Sequence, residues 1–162
     1  MERSAGEGAA HSALCSSSGA GASDFGAAFA ASFSALVCSL SAFFHGGVVS
    51  YTNGVKAGVL GIDPALIEEK GAVSFEVAKA MAERVRAITG AELGLGVTGL
   101  AGPDGDGVHE VGTVFVSMAD AEQTWVRELH LGAFRTRSFI RRMAGNHAFD
   151  MLRRWLTGLE IE

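Results

Sequence analysis

The stretch from Ser74 to Gly99 limits the fold most. "SFEVAKAMAERVRAITG" (74–90) places Val77, Met81, Val85 and Ile88 on one helical stripe. It opens on Ser74, a capping residue, and stops at Gly90. "AELGLGVTG" (91–99) follows at once and reads as a strand running into a glycine-rich loop. An amphipathic helix joined directly to a strand must bury its stripe against a sheet, and the rest of the chain supplies one. "VGTVFVSMA" (111–119) and "TWVRELHL" (124–131) read as two strands paired through a hairpin turn at "DAEQ". "RTRSFIRRMAGNHAFDMLRRWLTGL" (135–159) reads as a long terminal helix. Its apolar side is expected to be Phe139, Ile140, Met143, Phe149, Leu152, Trp155 and Leu156. Helices interleaved with strands give the class α/β, with helices covering a sheet.

Upstream, "DPALIEEKG" (63–71) is a short helix capped by Asp63, with Pro64 in its first turn and Gly71 as its stop. "TNGVKAGVLGI" (52–62) reads as a short helix or turn, with Asn53 as the expected N-cap. "GGVVSY" (46–51) reads as a buried strand. Residues 24–37 read as a helix, since Phe25, Phe29 and Phe33 recur at helical spacing. Residues 1–22, rich in Ser, Gly and Ala without an apolar period, read as disordered or poorly packed. The remainder, 23–162, is expected to be one domain.

Charge narrows the function classes. The formal net charge of −5 over 162 residues argues against a nucleic-acid surface, while leaving room for an anionic small molecule held by a few arginines or backbone donors. Phe25 to Phe44 holds no charged residue and is long enough to be weighed as a membrane helix. Half of it is Ala, Ser and Gly, which favour lipid weakly, so a core helix is the better reading and no membrane partner is expected. Glu2 and Glu7 spoil a secretory n-region. Cys15 and Cys38 have neither metal-type nor disulfide-framework spacing, so a reducing cytoplasm is expected.

"GVTGLAGPDGDG" (96–107) allows two readings. Thr98, Gly99, Ala101 and Gly102 could leave backbone N–H groups bare for a phosphate or other anion. Alternatively the glycines simply permit tight packing between strand and helix. The loop lacks the Lys-Ser/Thr ending of a triphosphate P-loop. Asp104 and Asp106 lack the ligand spacing and terminal Glu of an EF-hand. Arg137 and Arg141, four apart on one face of the last helix, could meet an anionic group or form surface ion pairs. The histidines form no metal-ligand pattern, and neither metal nor cofactor is expected.

Four segments in fixed order carry a resemblance. They are "SAFFHGGVVSYTNGVKAGVLGI" (41–62), "GAVSFEVAKAMAE" (71–83), "GVTGLAGPDG" (96–105) and "VGTVFVSMA" (111–119). With the terminal "RSFIRRMAGNHAFDML", they resemble the CinA C-terminal domain family, the nicotinamide-nucleotide amidases, over about residues 37–158. The resemblance implies a three-layer α/β/α domain with helices covering a mixed sheet. It also implies hydrolysis of the carboxamide of nicotinamide mononucleotide to nicotinate mononucleotide and ammonia, in pyridine nucleotide salvage, with no metal. The family's Ser–Tyr–Lys group falls on Ser41, Tyr51 and Lys56. The loop at Thr98, Gly99, Ala101 and Gly102, with Arg137 and Arg141, would bind substrate. Self-association into a homo-oligomer is expected. The chemistry is coherent: a serine needs a base, and a lysine serves when burial or positive neighbours lower its pKa.

The chain departs from the family upstream of Ala42, where the usual first helix and strand are unrecognisable and the usual Gly-Ser-Ser reads Ser39-Leu40-Ser41. The Glu-Ser-Cys-Thr-Gly-Gly motif, roughly eighteen residues before the family's serine, would fall near Ser23, where the sequence reads "SDFGAA". Three explanations stay open. The segment has diverged with activity kept, the protein has become a binding or structural module, or the reading frame is shifted across the first forty residues.

Overall fold

The computed structural model describes residues 43–161. They form three helices, three strands and a closing helix. The elements are α1 (Asn53–Gly58), α2 (Pro64–Lys70), α3 (Phe75–Thr89), β1 (Gly94–Gly99), β2 (Thr113–Ala119), β3 (Thr124–His130) and α4 (Arg137–Leu156). The expected segment 1–22, the expected helix at 24–37 and nearly all of the Phe25–Phe44 run lie outside the described residues. Among the described residues no helix is long and apolar enough to cross a membrane.

Local capping sets most boundaries. The Ser74 hydroxyl accepts from the Val77 N–H and opens α3, and Gly90 closes it in the left-handed conformation at φ 65°. Asp63 accepts from the Ala65 N–H ahead of Pro64 and opens α2. Helix α1 is capped by Thr52 rather than Asn53: the Thr52 hydroxyl accepts from the Val55 N–H, and Asn53 becomes the first helical residue. Residues 46–51 are not a strand. No ladder among the described residues includes them, and Val49 and Tyr51 are 90% and 84% exposed. A β-branched run becomes a strand only where a partner edge accepts its hydrogen bonds.

The sheet runs β1-β2-β3, and both ladders are antiparallel. The β2–β3 turn lies at Asp120–Gln123, closed by the Asp120 N–H to the Gln123 carbonyl at 3.0 Å. Alternation along β2 explains the layering. Val114, Val116 and Met118 face α4, where they pack with Leu129, Ile140, Ala144, Ala148 and Met151. Phe115 faces the other way, against Val73 and Ala78, and the Ser117 hydroxyl on that same face donates to the Ala78 carbonyl of α3. Helices α3 and α4 therefore cover opposite faces of one sheet, which makes the fold α/β with three layers.

Two expectations about packing change. The buried line of α4 is Ile140, Ala144, Ala148 and Met151, and the expected Leu152 and Trp155 pack beside it, whereas Phe149 and Leu156 are 68% and 67% exposed. The helix lies close on the sheet, and small side chains allow that approach where rings would hold it away. On the opposite face, β1 turns Gly94 and Gly96 toward α3. A Cβ on Gly96 would come within 2.9 Å of the Ala78 carbonyl oxygen and the Ala82 nitrogen. Those glycines let a helix backbone lie against a strand backbone.

Candidate active site

The Lys56 side chain is the best-defined element. Lys56 sits in the last turn of α1, a helix held by local bonds. The Lys56 N–H donates to the Thr52 carbonyl, and the Ile62 N–H donates back to the Lys56 carbonyl, each at 3.1 Å. The following turn is clamped to α3 by Arg84, whose guanidinium donates to the carbonyls of Leu60 and Gly61. Leu60 and Ile62 then pack against Ile67, Val77 and Met81. The result is a lysine only 6% exposed. Its Nζ donates to the Ser50 carbonyl at 3.0 Å, and no carboxylate pairs with it among the described residues. Burial of the ammonium lowers its pKa from the ordinary lysine value.

Tyr51 lies five residues before Lys56 but is 84% exposed, and its hydroxyl has no partner among the described residues. The structure does not join the Tyr51 hydroxyl to the Lys56 amine. Ser41 lies outside the described residues.

The glycine loop serves packing first. The Thr98 hydroxyl, on a residue 7% exposed, donates to the Ala72 carbonyl at 2.8 Å and ties β1 to the entry of α3. Thr98 can therefore offer its hydroxyl oxygen only as an acceptor while that bond lasts. A Cβ on Gly99 would reach 2.8 Å from the Thr113 carbonyl oxygen and from Val114, so Gly99 is needed for the fit of β1 on β2. The Leu100 N–H is committed to the Thr113 carbonyl at 2.9 Å. Ala101 packs at the edge of the α4-side core, and its N–H has no partner among the described residues. Gly102, at φ 82°, turns its carbonyl to the Arg137 guanidinium, 2.8 Å away. That bond brings the loop and the first turn of α4 together. Arg141, one turn on, is exposed and without a partner among the described residues.

One arrangement escaped the sequence reading. Asp106 in this loop accepts from the Val108 and His109 N–H groups at 2.9 and 2.7 Å and from the His109 ring at 3.2 Å. The available signal was the spacing of an aspartate three residues before a histidine in a glycine-rich turn.

The chain as a whole is similar to known proteins. Residues 12–156 match the CinA C-terminal domain family. A relative from Caldanaerobacter subterraneus subsp. tengcongensis, whose name includes the words competence-damage inducible protein, is 46% identical over 123 residues, covering 75% of this chain and 29% of the relative. The chain spans less than a third of the length of the curated relatives it matches. Among solved structures, competence/damage inducible protein CihA from Agrobacterium tumefaciens is similar with a TM-score of 0.60 and 31% identity, over 63% of this chain and 62% of that one. The competence damage-inducible protein A of Klebsiella pneumoniae reaches a TM-score of 0.71 over 80% of this chain and 81% of its own; at 24% identity it speaks for the fold. With its ordered motifs, its layered helices and a family match over nearly the whole length, this chain belongs to the CinA C-terminal domain family.

Proposed function

We propose that this chain is an amidohydrolase that converts nicotinamide mononucleotide to nicotinate mononucleotide and ammonia. The observation that carries the reading is the buried, carboxylate-free Lys56 amine at the position where the family's base falls. A buried lysine without a counter-charge is costly, and such groups cluster at sites that use the neutral amine.

The steps follow from that base. Lys56 takes the Ser41 hydroxyl proton, with Tyr51 as the other member of the base system. The serine oxygen bonds to the carboxamide carbon and forms a tetrahedral adduct. That adduct collapses with cleavage of the C–N bond, and the nitrogen leaves as ammonia with the transferred proton. Water then adds to the acyl ester, gives a proton to the same base and releases the carboxylate, restoring the serine. The Ala101 N–H, with Arg137 and Arg141, offers donors to the mononucleotide's phosphate, and Thr98, Gly99 and Gly102 shape that wall. The reading includes self-association and a cytoplasmic setting.

A second reading is a binding module of the same fold without turnover. It is favoured by the missing Glu-Ser-Cys-Thr-Gly-Gly motif and by Tyr51, which is exposed and without a partner among the described residues. Ammonia release from nicotinamide mononucleotide, compared between the parent and Ser41→Ala, separates the two. Turnover lost in the variant supports the amidase. A folded parent without turnover, still binding nicotinamide mononucleotide by calorimetry, supports the module.

A further inference from the structure

The loop after β1 and the connection before α4 enclose an open cleft of about 690 Å³, lined by Val108, His109, Glu110, Val111, Ala133 and Phe134. Tyr51, Lys56 and Thr98 do not line it. Its walls are chemically divided. Val108, Val111, Ala133 and Phe134 are apolar, and the Phe134 ring is fully exposed at the cleft without packing against the core. His109 and Glu110 supply the polar groups.

His109 is held from two sides. Its ring meets the buried Phe115 edge-on, with centroids 5.9 Å apart and planes at 83°. Its Nδ1 faces the Asp106 carboxylate at 3.2 Å. That carboxylate is kept ionised by the His109 backbone N–H first, then by that of Val108 and by the imidazole itself, so its pKa lies below the usual carboxylate value. An ionised acceptor puts the imidazole hydrogen on Nδ1. In the neutral ring Nε2 is then left as an acceptor, without a partner among the described residues. A fixed acceptor, a carboxylate and an exposed aromatic face around one cleft are complementary to one kind of molecule.

We infer that this cleft is a binding site for a small planar aromatic ligand carrying N–H donors and a neutral or positive charge. The ligand ring lies against Phe134, one donor reaches His109 Nε2, and the charge faces Glu110. The Asp106–His109 pair positions the acceptor. The site does not depend on the amidase reading, because it shares no described residue with Tyr51 or Lys56.

The test uses the full chain and benzamidine, a planar aromatic cation with N–H donors, against benzoate, its anionic counterpart. Ring resonances of His109 and Phe134 are followed by NMR during titration. Benzamidine is expected to shift both residues in a saturable way, and benzoate to bind at least about tenfold more weakly, as expected when a charged hydrogen-bond pair is replaced by repulsion. Glu110→Gln and Phe134→Ala are each expected to weaken benzamidine by about fivefold to tenfold. Both positions are exposed, and unchanged amide spectra elsewhere will show that the variants fold. The ring nitrogen shifts of unliganded His109 are expected to report hydrogen on Nδ1 in the neutral ring. Benzoate binding as tightly as benzamidine, no saturable shift at His109 and Phe134, unchanged affinity in both variants, or hydrogen on Nε2 would each overturn the assignment.

Discussion

Gly94→Ala tests the claim that α3 rests on β1 backbone to backbone. A Cβ at this position would lie 2.1 Å from the Ala82 carbonyl oxygen, 2.8 Å from the Arg86 Cβ and 3.0 Å from the Arg86 nitrogen. Two of these three atoms are helix backbone, so no rotamer change relieves the contact. Ordinary contact begins near 3.4 Å, and the helix must therefore withdraw by the difference from 2.1 Å, about 1.3 Å. The face that withdraws carries Val77, Ala78, Met81 and Ala82, all buried. A radial gap of ~0.5–1 Å already forfeits a quarter to a half of the dispersion energy. Overpacking in cores costs about 1–3 kcal/mol, and this case belongs at the upper end, near 3 kcal/mol. With a urea slope of about 2 kcal/mol/M, the unfolding midpoint should fall by roughly 1.5 M with the slope unchanged. Gly145→Ala is the matched control. It sits inside α4 with nothing within 4 Å of an added Cβ, so the same substitution should raise stability by about 0.5–1 kcal/mol. A Gly94→Ala midpoint within about 0.3 M of the parent would refute the backbone contact. Equal losses at both positions would show that the clash is not the cause.

Lys56→Met should abolish ammonia release and also raise the urea midpoint at neutral pH. The folded lysine has its pKa lowered by burial, so the folded state binds fewer protons than the unfolded one. The penalty is full below the folded pKa and fades as pH rises toward the unfolded value near ~10.4. The stability advantage of the variant should accordingly shrink between neutral and alkaline pH, and an advantage that grows with pH would contradict the assignment. Asp120→Asn addresses the opposite sign. The Asp120 carboxylate accepts from the Gln123 and Glu122 N–H groups and from the Trp155 indole, which hold its pKa below the usual value. Its contribution is present above the unfolded carboxylate pKa of about 3.9 and is lost as pH falls through the lower folded value. Urea melts should show a gap between parent and Asp120→Asn at pH 6 that closes as pH falls below about 4; a gap independent of pH would show that the carboxylate's charge plays no part.

What could be read from the sequence was whatever is decided locally. Ser74 and Asp63 cap their helices through bonds spanning two or three residues, so the side chain and the N–H it satisfies stand in the same short word. The choice between Thr52 and Asn53 failed at that same scale, because both residue types cap well and only the backbone angle at Thr52 separates them. Residues 46–51 failed for a different reason: β-branched side chains prefer an extended backbone, but a strand also needs an edge, and no partner is named in the segment itself. On α4 the expected Ile140, Leu152 and Trp155 do pack on the core, but Phe149 and Leu156 stay exposed and Ala144 and Ala148 complete the buried line, because the helix crosses the sheet at the distance that alanines permit. The glycines of β1 join these cases. As part of a strand running into a glycine-rich stretch at 96–107, they left two uses open, a ligand cradle and a packing surface. The positions divide the uses between them: Gly94, Gly96 and Gly99 are occupied by α3 and β2, and the ligand reading retreats to the Ala101 N–H and the Gly102 turn beside Arg137. A glycine-rich stretch can therefore be fully explained by packing along most of its length and still leave one short turn free for chemistry. Only the neighbouring backbones, eight or more residues away along the chain, decide where that turn begins.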